Sequence, residues 1–204
     1  MATALLEKQD TQGGKGDTES TQDHWTVEAY YEAFHAGAFQ DPKRLELIHG
    51  KIIRKMPQDP SHTFLRRRLA TRLRSVVGPA LLVMEENPLR LALDGEPVPD
   101  VLVVTGAEKD YERRHPTQAD AVLVVEVSNT TADYDLSEKA LLYAQAGITD
   151  YWVVLVKEKV LAVHHEPSPE GYKEVIRLSG EDTLSLPTMP EAAWTVNALL
   201  GEEG

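Results

Sequence analysis

Apolar and polar positions alternate along this chain in two distinguishable rhythms. Leu65, Leu69, Leu73 and Val76 recur at helical spacing, predicting a helix from Ser61 that Gly78-Pro79 ends. The same spacing puts the neighbouring arginines on the other sides of that helix. A second helix is predicted over Asp133 to Ala146, with Gly147 closing it as the residue after the cap, and Asp135 followed by Glu138 resembles a capping box. A shorter helix runs from Val27 to about His35, with Thr26 as N-cap and Glu28 in its first turn.

Strand signals fill the intervals. Leu45 to Ile48 and Lys51 to Ile53 flank His49-Gly50, a hairpin turn, and Pro57 and Pro60 break the second strand. Leu81 to Met84 and Pro88 to Leu93 read as short strands, and Asp94-Gly95 as a turn. Val98 to Val104 reads as a strand containing Asp100. Ala121 to Val127 is an apolar run of the kind found in buried central strands. Tyr151 to Val156 is another, turned by Lys157-Glu158-Lys159 into Val160 to His164. Gly171 to Leu178 reads as the last strand, and Ala192 to Leu200 as a short helix. A helix joining two buried apolar strands predicts a right-handed crossover between parallel neighbours. The fold class is therefore α/β, a mixed sheet with helices on its faces.

Residues 1–23, rich in Gln, Thr, Gly and Asp, read as a disordered tail, leaving 24–204 as one domain. The tail lacks a signal-peptide core, and no apolar run is long enough to span a bilayer. A cytoplasmic protein without membrane contact is the expectation. The chain has no cysteine, which excludes disulfides and thiolate metal sites but leaves oxygen-ligand sites open.

The net charge is −12, of which the first 23 residues contribute −3 and the remainder −9. That counts against broad binding to a polyanion. Any nucleic-acid contact must be local, and one segment qualifies. His62 to Arg74 contains Arg66, Arg67, Arg68, Arg72 and Arg74 and no acid. Such a cluster is usually a solvated helix face, but it can equally hold phosphates.

The candidate chemistry lies at strand ends. Asp100 follows Pro99 and enters an apolar run; its ordinary reading is a cap or turn residue. Glu126 is more telling, because Val122 to Val125 precede it and Val127 follows. A glutamate buried there must be compensated by a lysine or by a metal, unless the strand is an edge and the side chain faces water. Lys139 sits one helical turn after Asp135, so the two can pair on one face. Alternatively its ammonium sits beside Glu126, where it would stabilise hydroxide or charge developing on a phosphate. Two carboxylates and an amine from neighbouring elements are the parts needed to hold a divalent metal and activate a water for phosphodiester cleavage. Glu46 alternates with Leu45 and Leu47 and alone reads as solvent-facing. His49 and His62 read as cap or surface groups as readily as ligands, and Tyr151 and Trp152 as core. There is no P-loop, dinucleotide fingerprint, paired-histidine zinc helix or nucleophile elbow.

Taken together, several stretches resemble one family. They are Arg44 to Ile53 (Arg-Leu-Glu-Leu-Ile-His-Gly-Lys-Ile-Ile), His62 behind Pro57 and Pro60, Val98-Pro-Asp-Val-Leu-Val-Val104, and Val124-Val-Glu-Val-Ser128. Tyr134-Asp-Leu-Ser-Glu-Lys139 and Tyr143 to Val153 complete the pattern. Each motif alone is weak; the combination, covering roughly Thr26 to Leu200, is specific and resembles the Uma-two family, classed among restriction endonucleases of the PD-(D/E)XK superfamily. The resemblance implies a restriction-endonuclease-like core and a DNA endonuclease activity dependent on Mg²⁺ or Mn²⁺. It implies Asp100 and Glu126 as metal-binding carboxylates, the Val127 carbonyl completing the site, and Glu46 as the acid of the first motif. The residue two after Glu126 is Ser128 rather than the superfamily's lysine, and the resemblance implies that Lys139 takes its place. His62 matches a family position without a derived role, and Asp135 is a further auxiliary candidate. Double-strand cleavage by so small a domain implies a homodimer. Two other functions remain open: a non-catalytic scaffold that keeps the nuclease fold, which the negative charge favours, and a phosphodiesterase acting on a non-DNA substrate.

Overall fold

The structure, a computed structural model, describes residues 24–201 apart from Leu93, Pro187 and Thr188, and not the side chains of 189–192. The expected tail, 1–23, lies outside the described residues. So does Leu93, the end of one expected strand.

The elements follow from local chemistry. Helix α1 (Val27–His35) starts where Thr26 Oγ1 accepts from the Ala29 amide at 3.2 Å. Strands β1 (Leu45–Ile48) and β2 (Lys51–Arg54) pair antiparallel through His49 and Gly50, both at positive φ (48° and 69°). That is the backbone that lets a two-residue hairpin follow the strand twist. Helix α2 (Pro60–Arg74) opens with Asp59 as N-cap, its carboxylate accepting from the His62 amide at 2.9 Å. Pro60 is therefore the first helical residue, where its missing N–H costs nothing, as well as the end of the preceding extended segment.

Strands β3 (Leu81–Glu85), β4 (Val101–Thr105), β5 (Ala121–Ser128), β6 (Tyr151–Leu155), β7 (Val160–Ser168) and β8 (Gly171–Ser179) form one sheet in that order. All neighbours are antiparallel except β5 and β6, which run parallel. The β5–β6 connection contains α3 (Ala132–Tyr134), a π-helical turn (Asp135–Lys139) and α4 (Ala140–Gln145), and Gly147 follows at φ 77°. The mixed α/β sheet read from the sequence is thus the fold. After β8 come a separate hairpin, β9 (Thr183–Leu186) with β10 (Met189–Thr195), and helix α5 (Val196–Leu200).

Side-chain alternation assigns each face of the sheet to a different core. On one face Val101, Val103, Leu123, Val125, Val127, Trp152 and Val154 pack with Leu69 and Leu73 of α2 and with α5. On the other, Leu102, Val124, Tyr151 and Val153 pack with Leu142 and Tyr143 of α4. Glu126, between Val125 and Val127, therefore points to the α4 side. In β1, Leu45 and Leu47 pack with Val27 and Tyr30 of α1, while Ile48 joins the α4 core. Glu46, in alternation with Leu45 and Leu47, is 3 % exposed rather than solvent-facing.

Several expectations are corrected. The described part of the Pro88 to Leu93 segment, Pro88 to Ala92, forms no strand: the Leu89 amide donates to Pro97 O and the Leu91 amide to Gly95 O, so it folds back on itself. Its alternation still buries Leu89 and Leu91. Asp100 precedes β4 rather than lying within it. Asp135 is not an N-cap, because the helical stretch begins at Ala132 and Asp135 enters the π turn. Strand β8 is not the last, and residues before Val196 extend β10 rather than a helix. Arg66 is not on an outer side of α2: it is buried against Glu85 and Glu86. No helix among the described residues is long and apolar enough to cross a membrane.

Candidate active site

The parallel strand β5 outruns its antiparallel neighbour, and the site forms where it does. Strand β4 begins at Val101, opposite Val125. Beyond that register the β5 backbone has no β4 partner, and the Val127 amide donates instead to Asp100 Oδ2 at 2.8 Å. An acid placed just before β4 is thus fixed beside Glu126 by a backbone bond that replaces a rung of the ladder.

Asp100 is 3 % exposed. His62, from the first turn of α2, places Nε2 3.0 Å from the same Oδ2 atom. Burial pushes the Asp100 carboxyl up, but the His62 hydrogen bond and charge, the Lys55 charge and the Val127 amide together hold it below the usual carboxylate value. Asp100 is therefore a preformed anion. Glu126 is its opposite. Burial drives its pKa up to about 8 against the pull of Lys139, and Asp100 and Asp135 push the same way.

Lys139 stands at the end of the π turn, 4 % exposed. Its Nζ donates to Glu126 Oε1 at 2.9 Å and lies 3.4 Å from Glu46 Oε2 and 3.8 Å from Asp135 Oδ1. Burial opposes the charged ammonium, but the fields of Glu126, Glu46 and Asp135 outweigh it and hold the pKa well above normal. One cation thus serves three carboxylates, and burial, helped by the neighbouring carboxylates, outweighs its pull on Glu126 and leaves that side chain ready to keep a proton. The π turn aims Lys139 at Glu126 and Asp135 at the loop. Asp135 accepts from Ser128 Oγ and, at 2.6 Å, from Thr131 Oγ1. Ser128, two residues after Glu126, thus binds the acid that pairs with Lys139.

Asp100, Glu126, Lys139, Glu46, His62, Asp135 and Val127 all line one cleft of about 230 Å³. The structure thereby brings the six acidic and basic candidates and Val127 to one place, while His49, which the sequence also raised, does not line this cleft. It divides the arginines. Arg66 is held by Glu85, Glu86 and Gln58 Oε1, and Arg74 donates to Glu85 at 2.9 Å. Arg67, Arg68 and Arg72 line a separate groove along α2.

Three participants escaped sequence reasoning. Lys55, after β2, donates to Val98 O at 2.6 Å and lines the cleft. Tyr143 OH donates to Glu126 Oε1 at 3.1 Å from inside the core. Asp59, the α2 cap, accepts from Asn129 Nδ2 and ties the helix start to the loop after β5. None had a local signal except Asp59, three residues before the amide of His62 that it caps.

The donors present are hard oxygens. No group of three His, Asp or Glu side chains converges tightly enough to hold a metal among the described residues. The two carboxylates that share the cleft with a strand backbone suit a hydrated Mg²⁺, which keeps several waters and takes one or two carboxylates, better than a dehydrated all-protein cage.

Comparison with known proteins agrees with this architecture. A crystal structure of a "putative nuclease belonging to DUF820" from Anabaena variabilis ATCC 29413 superposes with a TM-score of 0.68 at 16% identity, covering 86% of this chain and 97% of that one. At that identity the likeness shows a shared fold. No curated protein matches the chain significantly. The sequence matches the Uma2 family, described as "Putative restriction endonuclease", over residues 28–197. The chain therefore belongs to the Uma2 family.

Proposed function

We propose that this protein is a divalent-metal-dependent endonuclease that hydrolyses DNA phosphodiester bonds in the cleft between β4, β5 and the π turn. The observation that carries the reading is the convergence of Asp100, Glu126 and Lys139, from three separate elements, on one cleft. Membership in Uma2 and the description of the Anabaena protein support it.

Asp100 and Glu126 would hold Mg²⁺ or Mn²⁺, with the Val127 carbonyl and Glu46 as the remaining oxygen donors. The bound ion supplies charge neutralisation and a water acidified toward neutral pH. Asp100 is kept ionised by His62, Lys55 and the Val127 amide, so it presents a fixed negative ligand. Lys139, anchored by Asp135, places an ammonium beside Glu126 that orients the attacking water and faces the charge developing on the phosphate. His62 is a positioning group that fixes the Asp100 carboxylate. Cleavage of both strands would take two copies of the chain. The non-catalytic scaffold reading draws on one specific observation: Lys139 already pairs with Glu46, Glu126 and Asp135 in a buried ion network.

Cleavage separates the two. A labelled DNA incubated with the protein should be cut in Mg²⁺ or Mn²⁺ and left intact in EDTA. Cutting that persists in EDTA contradicts the metal reading. Intact duplex and single-stranded DNA in both conditions contradicts the nuclease reading.

A further inference from the structure

Helix α2 presents a face outside its sheet contacts and the ion pairs of Arg66 and Arg74, along which Arg68 also donates to the Ala198 carbonyl of α5 at 3.3 Å. Phe64, Arg68 and Arg72 form one row at four-residue spacing and Arg67, Thr71 and Ser75 a second row three residues on, so the six share one side of the helix. Together they line a groove of about 760 Å³. It reaches Gln58 and Asp59, which also line the acidic cleft, so groove and cleft meet at the start of α2. Among the described residues that line it, Asp59 is the only acid.

Two features of this face point to one occupant. In a chain of net charge −12, three arginines on one groove are a local reversal of sign, suited to a polyanion. Among them lies Phe64, 59 % exposed. A phosphate backbone gives an aromatic ring nothing to bury against, and a closed duplex keeps its base faces stacked. An unpaired base offers its π-face, and aromatic–base stacking beside basic groups is how single strands are held without sequence preference.

We propose that the outer groove of α2 binds a single-stranded nucleic-acid segment, Phe64 stacking on a base while Arg67, Arg68 and Arg72 hold the phosphates, and leads it into the acidic cleft. This rests on the nuclease reading for its direction, and names the substrate class as unpaired strand. The strand enters where α2 begins, the end of the helix that carries His62 to Asp100.

Anisotropy of a labelled oligothymidylate and of a duplex of equal length tests it in EDTA, where no cleavage intervenes. Wild type should bind the single strand more tightly than the duplex. Phe64→Leu should weaken single-strand binding roughly ten- to a hundredfold and leave duplex binding unchanged. Arg67→Gln should lower the slope of log affinity against log salt by about 0.7. Both side chains are exposed, so both variants keep the fold, verifiable by circular dichroism. Equal binding by wild type and Phe64→Leu, a preference for duplex, or self-association that depends on Phe64 in sedimentation would each overturn the proposal. Unchanged binding by the variants with divalent-dependent cleavage intact removes the groove and leaves the nuclease. Phe64-dependent binding without any cleavage removes the nuclease and leaves the groove.

Discussion

Asp100→Asn is expected to lower divalent-dependent cleavage by about a thousandfold or more while leaving the fold in place. The reasoning starts from what asparagine keeps. Its amide oxygen can still accept from the Val127 amide, and its shape still fills the space before β4, so the junction of β4 and β5 survives. What it loses is the fixed negative charge that His62, Lys55 and the backbone maintain. If that charge holds the cation, its loss removes both the metal and the acidified water. Removing a single charge-stabilising group from an active site already costs about 10²–10³ in rate. Loss of the metal's own contribution comes on top. A time course of oligonucleotide cleavage, with thermal unfolding of both proteins as control, measures it. Cleavage within tenfold of wild type would remove Asp100 from the chemistry.

Lys139→Met is expected to destabilise the protein by about 3–5 kcal/mol, the usual cost of deleting one partner of a buried ion pair. Three carboxylates lie within 4 Å of the ammonium, and each partner residue is almost fully buried. Without the lysine they face one another at the floor of the cleft with no cation between them. Protonation of Glu126, already displaced upward, relieves part of the repulsion but leaves Glu46 and Asp135. Against a total stability of about 5–15 kcal/mol, the loss is large. Adding Glu126→Gln to Lys139→Met should recover part of it, since the glutamine carries no charge and can still accept from Tyr143 OH. Urea denaturation of the two single variants and the double variant reads the coupling directly. A Lys139→Met protein as stable as wild type would show that the network is not what compensates these acids.

The site was legible where chemistry was written in short-range pattern. Glu126 stood out because an unbroken apolar run surrounded it, and a buried central strand is what that run forms. Thr26 and His49-Gly50 marked their helix and turn because capping and positive φ depend on the residue itself. Legibility failed where tertiary contacts decided. Glu46 looked solvent-facing, since nothing local says that the hairpin lays its second face against the cleft. Lys55 and Tyr143 reach the site across the fold from positions with no distinguishing neighbours. Asp135 and Glu138 had the spacing of a capping box, but a π turn consumed both positions, because Ser128 and Thr131 supplied Asp135 with partners from the other side. The arginine cluster showed the same limit. Periodicity placed the helix, yet only the contacts with Glu85 and Glu86 separate Arg66 and Arg74 from the three that line the outer groove.

The central claim is that the acidic cleft holds a divalent cation between Asp100 and Glu126. Calorimetric titration of Mn²⁺ into wild type and Glu126→Gln tests it without requiring a substrate. Glutamine can still accept from Lys139 and Tyr143, so the variant keeps the neighbouring hydrogen bonds but cannot release a proton to become an anionic ligand when the cation binds. The account predicts one site per chain in wild type and binding weakened at least tenfold in the variant. Equal binding by the two proteins, or none by wild type with nucleic acid present or absent, would contradict it.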